Sequence, residues 1–358
     1  MSVKADVLLD NPAAMRNLDP SGMCDAIAGM PDQLRQATSL VAGVDWKSYK
    51  PTTPAGICLC GMGGSAIGGD LARSYWESQS PVPFVVVRTD HLPAYINRFW
   101  LVIASSYSGN TAETLTATHE ARARGCSILA VTTGGQLAAL ASTNKWPLVK
   151  LPGGLPPRAA LGYSFGPVML SLSRWGIVAD YDEHLQSLAG FLHERQYLFQ
   201  PDTPLLRNPA KQHAVTLTKR IVNVYGSNPS TDVVAYRLKC QLAENSKAIA
   251  FANALPELNH NEIVGLDAQS HPGMAMAVVT LASDDDDTTA AKRRLWIERR
   301  LAGRGLPVVR LEASGRNRLE RMFSLVQQGD WISYYLAIQN GQDPTPVPAI
   351  NDLKTELA

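Results

Sequence analysis

The chain has 358 residues, 45% of them hydrophobic, which is enough for two packed domains. Its net charge of +1, with basic and acidic residues scattered, excludes a basic face for nucleic acid, and no window of about 20 apolar residues is suited to span a membrane. The N-terminus lacks the apolar core of a signal peptide. Of the five cysteines, Cys58 and Cys60 are close in sequence, but no further His or Cys cluster completes a metal site with them. We therefore expect reduced thiols, a cytoplasmic location and no metal site.

The first half of the chain alternates apolar strands with helices. After a leading amphipathic helix over 20–43, the pattern predicts strands at 55–62, 83–88, 99–105, 126–133 and 146–152, and helices at 64–78 and 111–125. Gly125 is expected to end the second of these helices in the C′ position. Further helical stretches at 158–175 and 183–199 lead to a Pro-rich segment, 200–209, which we interpret as a linker.

The second half repeats this pattern. Strands are predicted at 220–226, 275–283 and 306–311, and helices from the first strand to about 245, at 288–302 and at 317–339. Apolar strands that alternate with helices indicate an α/β fold, with doubly wound parallel sheets covered by helices on both faces. We expect two such domains, at 49–200 and 201–358, after a helical lead-in at 1–48.

Two strand-to-helix loops of the first half are rich in glycine and hydroxyl residues. One includes Gly64 and Ser65, and the other runs from Ser106 to Thr111. A helix N-terminus has unpaired N–H groups and a partial positive charge, so it binds phosphate without Lys or Arg. In the second half the matching loop carries four aspartates, Asp284–Asp287, which repel an anion. The sequence therefore predicts one anion site per chain, and the aspartates are interpreted as a solvated loop with an N-cap.

The glycine-rich loop is open to other interpretations. Gly61, Gly63 and Ala66 fit the dinucleotide pattern G-x-G-x-x-G/A, but Arg88 and Asp90 after the next strand are ambiguous for ribose recognition. The P-loop pattern fails because no Lys-Ser/Thr pair follows the glycines. Both loops are also compatible with tight turns that carry N-caps and bind nothing.

Several motifs resemble a known family. GMGGSAIGGDL and SSYSGNTAET resemble the phosphate-binding loops of sugar isomerase (SIS) domains. GGLPPRAALGY at 153–163, AENSKAIAFANALPELNHNEIVG at 243–265 and DPTPVPAINDLKTEL at 343–357 resemble bifunctional phosphoglucose/phosphomannose isomerases, in the same order. The resemblance covers most of the chain.

The resemblance implies a homodimer of two-SIS-domain chains that interconverts glucose 6-phosphate or mannose 6-phosphate with fructose 6-phosphate, in glycolysis and gluconeogenesis, without a cofactor. The implied phosphate contacts are Gly64, Ser65, Ser106, Ser108 and Thr111. The implied catalytic residues are Arg158, Glu244, His260 and Lys354. In this family the ring-opening His comes from the other subunit, and a residue that helps to admit the mannose epimer lies in the tail, near Thr345.

The residue types suit aldose–ketose isomerisation. Ring opening needs a group that takes and gives a proton near neutral pH, which suits His260. Carbon deprotonation suits a carboxylate such as Glu244, and the enediolate needs a permanent cation such as Arg158. Glu257 and Glu262, beside His260, are alternative bases. A sugar-phosphate sensor that binds without turnover is the alternative function, and an aminotransferase is disfavoured because the chain has no glutaminase domain.

Overall fold

The computed structural model describes residues 8–46, 53–267 and 275–356. The chain forms two compact units. The first unit runs over Gly29–Gly190. The second unit combines the chain before Gly29 with the chain after Gly190. Each unit contains one sheet in which every strand pair is parallel, with helices between the strands, so the predicted α/β fold class is confirmed. Among the described residues, no helix has the length and apolar content that a membrane span requires.

The elements up to residue 195 largely follow the predicted alternation. They are α1 (Pro12–Leu18), α2 (Met23–Ala28), α3 (Met30–Ala42), β1 (Gly56–Cys60), α4 (Gly63–Trp76), β2 (Phe84–Val87), β3 (Trp100–Ser105), α5 (Ala112–Ala123), β4 (Ser127–Thr132), α6 (Gly135–Asn144), β5 (Leu148–Lys150), α7 (Leu161–Arg174) and α8 (Asp182–Arg195). The single helix predicted over 20–43 is wrong, because α2 and α3 are separate helices. Pro31 has no N–H to continue the bonding of α2, whereas proline fits the first turn of a new helix.

The first sheet has the strand order β2-β1-β3-β4-β5. From β1 the chain adds β2 on one side of it and then crosses to add β3, β4 and β5 on the other side. β1 and β3 are therefore neighbours in the sheet although β2 lies between them in sequence. Loops that leave the carboxyl ends of two such strands flank a crevice, where open α/β sheets bind ligands. Gly125 has a φ of +73° after α5, as predicted for a helix C′ position. All five cysteines are free thiols.

The rest of the chain forms the second sheet and its helices. Its elements are α9 (Pro209–Leu217), β6 (Ile221–Ser227), α10 (Asp232–Glu244), β7 (Ala250–Leu255), α11 (Glu262–Asp267), β8 (Met276–Ala282), α12 (Thr288–Gly303), β9 (Val308–Glu312), α13 (Arg318–Gln339) and α14 (Pro348–Glu356). The order β7-β6-β8-β9 matches β2-β1-β3-β4 of the first sheet. Each strand and loop of the second sheet therefore has a counterpart in the first, and β7 is the counterpart of β2.

A buried ion pair joins α10 to α13. Arg237 donates to both carboxylate oxygens of Asp330 at 2.8 and 2.7 Å, and Gln241 donates to one of them at 2.8 Å.

Asp330→Ala leaves the Arg237 charge buried without this carboxylate, so we expect the free energy of unfolding to fall by about 3–5 kcal/mol. Urea unfolding followed by circular dichroism measures this, with exposed Asp284→Ala as the control. A loss below about 1 kcal/mol would contradict a stabilising pair.

Candidate functional site

The loops after β1 and β3 meet at the carboxyl edge of the first sheet. Cys60 and Ala104 are register partners at the ends of the two strands, so both loops start at the same height. The backbone N–H of Tyr107 donates to the Ser65 hydroxyl at 3.2 Å and thereby joins the second loop to the first. The two loops that the sequence predicts to bind an anion therefore form one surface.

The helices that follow these loops have open N-termini. Met62 is the N-cap of α4 and Thr111 is the N-cap of α5, and neither side chain makes a capping hydrogen bond. The Thr111 hydroxyl instead shares a hydrogen bond with the Ser106 hydroxyl at 2.9 Å, and the N–H of Gly109 donates to Ser106 at 3.1 Å. First-turn N–H groups that no side chain caps are suited to bind an anion.

Glycine is required where backbone segments approach each other closely. A Cβ at Gly64 would lie 2.5 Å from the Pro157 carbonyl oxygen, so only glycine lets the start of α4 touch the turn that carries Arg158. Gly109 has a φ of +73°, and a Cβ there would lie 1.9 Å from the Gly134 carbonyl oxygen. These contacts hold the loops of the surface together.

All residues predicted to contact phosphate lie on this surface. They are Gly64, Ser65, Ser106, Ser108 and Thr111. Ser65 and Ser106 are buried, whereas Ser108 is exposed and accepts a hydrogen bond from the Asn110 N–H at 3.3 Å. Arg158 belongs to the same unit and is also buried, in the short 3₁₀ turn Pro157–Ala159. The structure therefore brings a permanent cation and hydroxyl-rich helix starts into one region.

The dinucleotide interpretation loses its support at the end of β2. The Arg88 guanidinium forms an ion pair with Asp70 of α4. This pair lies within the unit, so Arg88, one of the two residues considered for ribose recognition, already has a carboxylate partner. Asp90 is exposed on the loop beyond β2.

Glu244 and His260 both lie in the second unit. Glu244 is the last residue of α10 and is half-buried, and its carbonyl oxygen accepts from the Lys247 ammonium at 2.8 Å. His260 is exposed at the end of the 3₁₀ turn Glu257–His260, beyond β7. The whole of β7 lies between them. A six-residue strand extends about 20 Å, so the two residues of one chain lie at opposite ends of that strand.

The alternative bases beside His260 differ in their surroundings. Both carboxylate oxygens of Glu262 accept hydrogen bonds, one from the Tyr225 hydroxyl at 2.5 Å and the other from the Asn253 amide at 2.6 Å. Glu262 thus fixes the chain after His260 and is poorly placed to take a proton from carbon. Glu257 is exposed and accepts from the Asn261 amide at 2.7 Å.

The acidic loop of the second unit differs from the predicted solvated loop. Asp287 is the N-cap of α12 and accepts from the N–H groups of Thr289 and Ala290, as predicted. Asp285, however, forms an ion pair with Arg321, and the Asp286 side chain is fully buried.

Asp286 lies at the counterpart of the anion surface. Its carboxylate accepts a hydrogen bond from Ser230, in the loop after β6, and lies 3.7 Å from the Nε of Arg294. The loops after β6 and β8 are thus joined through a carboxylate of the chain itself. The aspartate run alone could not reveal this, because its arginine partners lie on α12 and α13, outside the loop.

The tail forms α14, which contains Lys354. The Lys354 side chain lies outside the described part of the structure. Thr345 precedes this helix, is half-buried, and donates its N–H to the Asp343 carboxylate at 2.9 Å.

Known proteins are similar to this chain in sequence or in fold. The family described as the bacterial phospho-glucose isomerase C-terminal SIS domain matches residues 206–357. A bifunctional phosphoglucose/phosphomannose isomerase of Caldicellulosiruptor bescii is 37% identical over 94% of this chain and 99% of its own. A protein of the same name from Thermoplasma acidophilum is 32% identical over 87% of this chain and 92% of its own. A hypothetical protein from Thermus thermophilus has the same fold, with a TM-score of 0.75 at 16% identity over 99% of this chain and 94% of its own.

Proposed function

Because the chain belongs to the bifunctional phosphoglucose/phosphomannose isomerase family, we propose that it interconverts glucose 6-phosphate and mannose 6-phosphate with fructose 6-phosphate. The observation that carries this proposal is the surface described above, where two helices with open N-termini meet beside Arg158. The phosphate binds to the Ser65, Ser106 and Thr111 hydroxyls and to the N–H groups at the two helix starts. Gly64 contributes its backbone N–H at the start of α4, and Ser108 contacts the phosphate from the loop rim.

The proposed reaction moves one proton between two carbons. His260 takes the proton of the anomeric hydroxyl and returns one to the ring oxygen, which opens the sugar. Glu244 then removes the proton from C2 of the aldose and delivers it to C1, while a second proton passes from O2 to O1 as the ketose forms. Arg158 stabilises the negative charge of the intervening enediolate. The Lys354 ammonium adds a second cation to the site, and neither step needs a metal or a redox cofactor.

We further propose that the chain works as a homodimer with shared sites. Glu244 and His260 of one chain are separated by the length of β7, which is too far for one sugar to touch both. A pocket that combines these two residues therefore takes His260 from the second subunit. A cytoplasmic location and a role in glycolysis and gluconeogenesis remain predictions.

The proposal is tested by turnover. Purified protein is incubated separately with glucose 6-phosphate and mannose 6-phosphate, and fructose 6-phosphate is measured. Formation of fructose 6-phosphate from both aldoses supports the bifunctional assignment. Binding of both sugars without conversion would overturn it in favour of a sensor.

The phosphate site is tested by a pair of N-cap variants. Thr111→Ala removes a hydroxyl donor to a doubly charged group, and hydrogen bonds to charged groups contribute roughly 1.5–3 kcal/mol, so affinity for the sugar phosphate should fall about tenfold or more. Thr111→Ala removes no capping bond of α5, so its effect on stability is limited to the lost hydrogen bond with the Ser106 hydroxyl. Ser106→Ala should weaken affinity similarly.

The matched control is Asp287→Ala, at the start of α12. Here the cap bond is present, so we expect a loss of about 1 kcal/mol in stability and unchanged affinity. Calorimetric titration with fructose 6-phosphate and thermal unfolding measure the two effects. Equal losses of affinity in Thr111→Ala and Asp287→Ala would contradict a single anion site in the first unit.

A further inference from the structure

Tyr107 lies in the loop after β3 and contacts three other segments: the start of α4, the loop after β4 and the segment after β5. Its N–H donates to the Ser65 hydroxyl at 3.2 Å, in the first turn of α4. Its carbonyl oxygen accepts from the N–H of Thr133 at 3.0 Å and from the Thr133 hydroxyl at 2.8 Å, in the loop after β4. The main chain of Tyr107 therefore holds the phosphate-binding loop between its two neighbours along the sheet edge.

The side chain of Tyr107 reaches the segment that leads to Arg158. Its hydroxyl donates to the Pro152 carbonyl oxygen at 2.9 Å and accepts from the Leu155 N–H at 3.3 Å. These two bonds span the pair Gly153–Gly154, whose second residue has a φ of +97°. Glycine pairs are conformationally free, so the two bonds fix a turn that the backbone alone leaves loose.

Arg158 is thus tied to the phosphate surface at two points. One is the close packing of the Pro157 carbonyl on Gly64, and the other is the phenol of Tyr107 at the far end of the segment. Burial raises the pKa of Tyr107, so its hydroxyl stays protonated at neutral pH and donates to the Pro152 carbonyl oxygen. The bond is part of the site at any pH near neutrality.

We propose that Tyr107 is a positioning residue, whose hydroxyl holds residues 152–158 so that the Arg158 guanidinium stays at a fixed place relative to the bound phosphate. The inference rests on the proposed function of Arg158. Tyr107 itself touches no reacting atom. Its effect is to keep the cation where negative charge develops in the enediolate, and misplacement of a catalytic group by about 1 Å can cost a hundredfold in rate.

The test uses Tyr107→Phe, which keeps the ring and removes both bonds of the hydroxyl. We expect kcat to fall about tenfold, while the Kd for inorganic phosphate stays within about twofold, because the phosphate contacts are untouched. Affinity for an aldonic acid phosphate, whose carboxylate stands in for the enediolate charge, should fall in parallel with kcat. Unchanged kcat would overturn the proposal, as would an equal loss of phosphate affinity, because that indicates a general disturbance of the loop.

Two further variants separate this role from a structural one. Tyr163→Phe removes another tyrosine hydroxyl of the same unit, which donates to Gln36 at 2.6 Å, and it should leave kcat unchanged. Adding Tyr107→Phe to Arg158→Ala should cause little further loss, since both changes act on one cation. Additive losses would overturn the proposal. Full activity of Arg158→Ala alone would instead overturn the proposed role of Arg158, and the wild-type turnover assay tests the proposed reaction independently of both.

Discussion

Glu244→Gln is expected to lower isomerase turnover at least about a hundredfold, the usual scale for loss of a general base. Glutamine keeps the shape of the side chain and its place at the end of α10, but it cannot accept a proton from carbon. Binding of fructose 6-phosphate should persist, because the proposed phosphate contacts belong to the first unit. Steady-state kinetics and calorimetric titration on the same preparation measure the two quantities.

Glu257→Gln is the control for this experiment. Glu257 is an exposed carboxylate in the turn that ends at His260, so it tests the effect of removing a nearby charge. We expect it to retain near-normal turnover. If Glu257→Gln lost activity and Glu244→Gln kept it, the base would be Glu257, and the proposed division of roles along β7 would be wrong.

The second large effect is recovery of activity in a mixed dimer. Glu244→Gln and His260→Ala are prepared as separate, nearly inactive proteins and then refolded together. If His260 acts on the neighbouring subunit, one pocket of each mixed dimer carries both defects and the other carries neither. Random pairing makes half of the dimers mixed, so about a quarter of the wild-type activity should return. Turnover is measured after mass spectrometry has confirmed mixed dimers.

The alternative predicts no recovery. If both residues served the pocket of their own chain, every pocket would keep one defect and the mixture would stay inactive. As a control, tagged and untagged Glu244→Gln proteins are refolded together. This mixture shows whether refolding alone produces activity. Confirmed mixed dimers without activity would refute the shared site, and would require the segments around Glu244 and His260 to approach each other despite the strand between them.

Several features were predictable because local sequence determines them. β1 and β3 are uniformly apolar runs, and Gly125 is a glycine directly after a helical pattern. β7 is not predictable from its sequence, because AFANAL is short, has three alanines and contains no β-branched residue. It is an edge strand on which Phe251 is exposed. α6 was not predicted either, since GQLAALASTN is short and begins with glycine.

The candidate site was predictable as a set of loops, but its internal contacts were not. The resemblance to SIS domains indicated Ser106 and Thr111 by motif, and the structure places Thr111 at the N-cap of α5 and Ser106 in the loop between β3 and that helix. The bond from Tyr107 to Pro152 joins residues 45 positions apart, so no local pattern reveals it. The burial of Asp286 likewise depends on Arg294 and Ser230, which approach it only in the folded chain.

The carboxylate of Asp286 makes the two halves of this repeat thermodynamically unequal. In the second unit the acidic group between the paired loops, Asp286, is part of the polypeptide and is in place as soon as the chain folds. In the first unit the proposed counterpart is a diffusible phosphate, whose contribution to local stability grows with the logarithm of its concentration. On this proposal, a bound sugar phosphate stabilises one copy of the repeated motif, and the other copy does not depend on it.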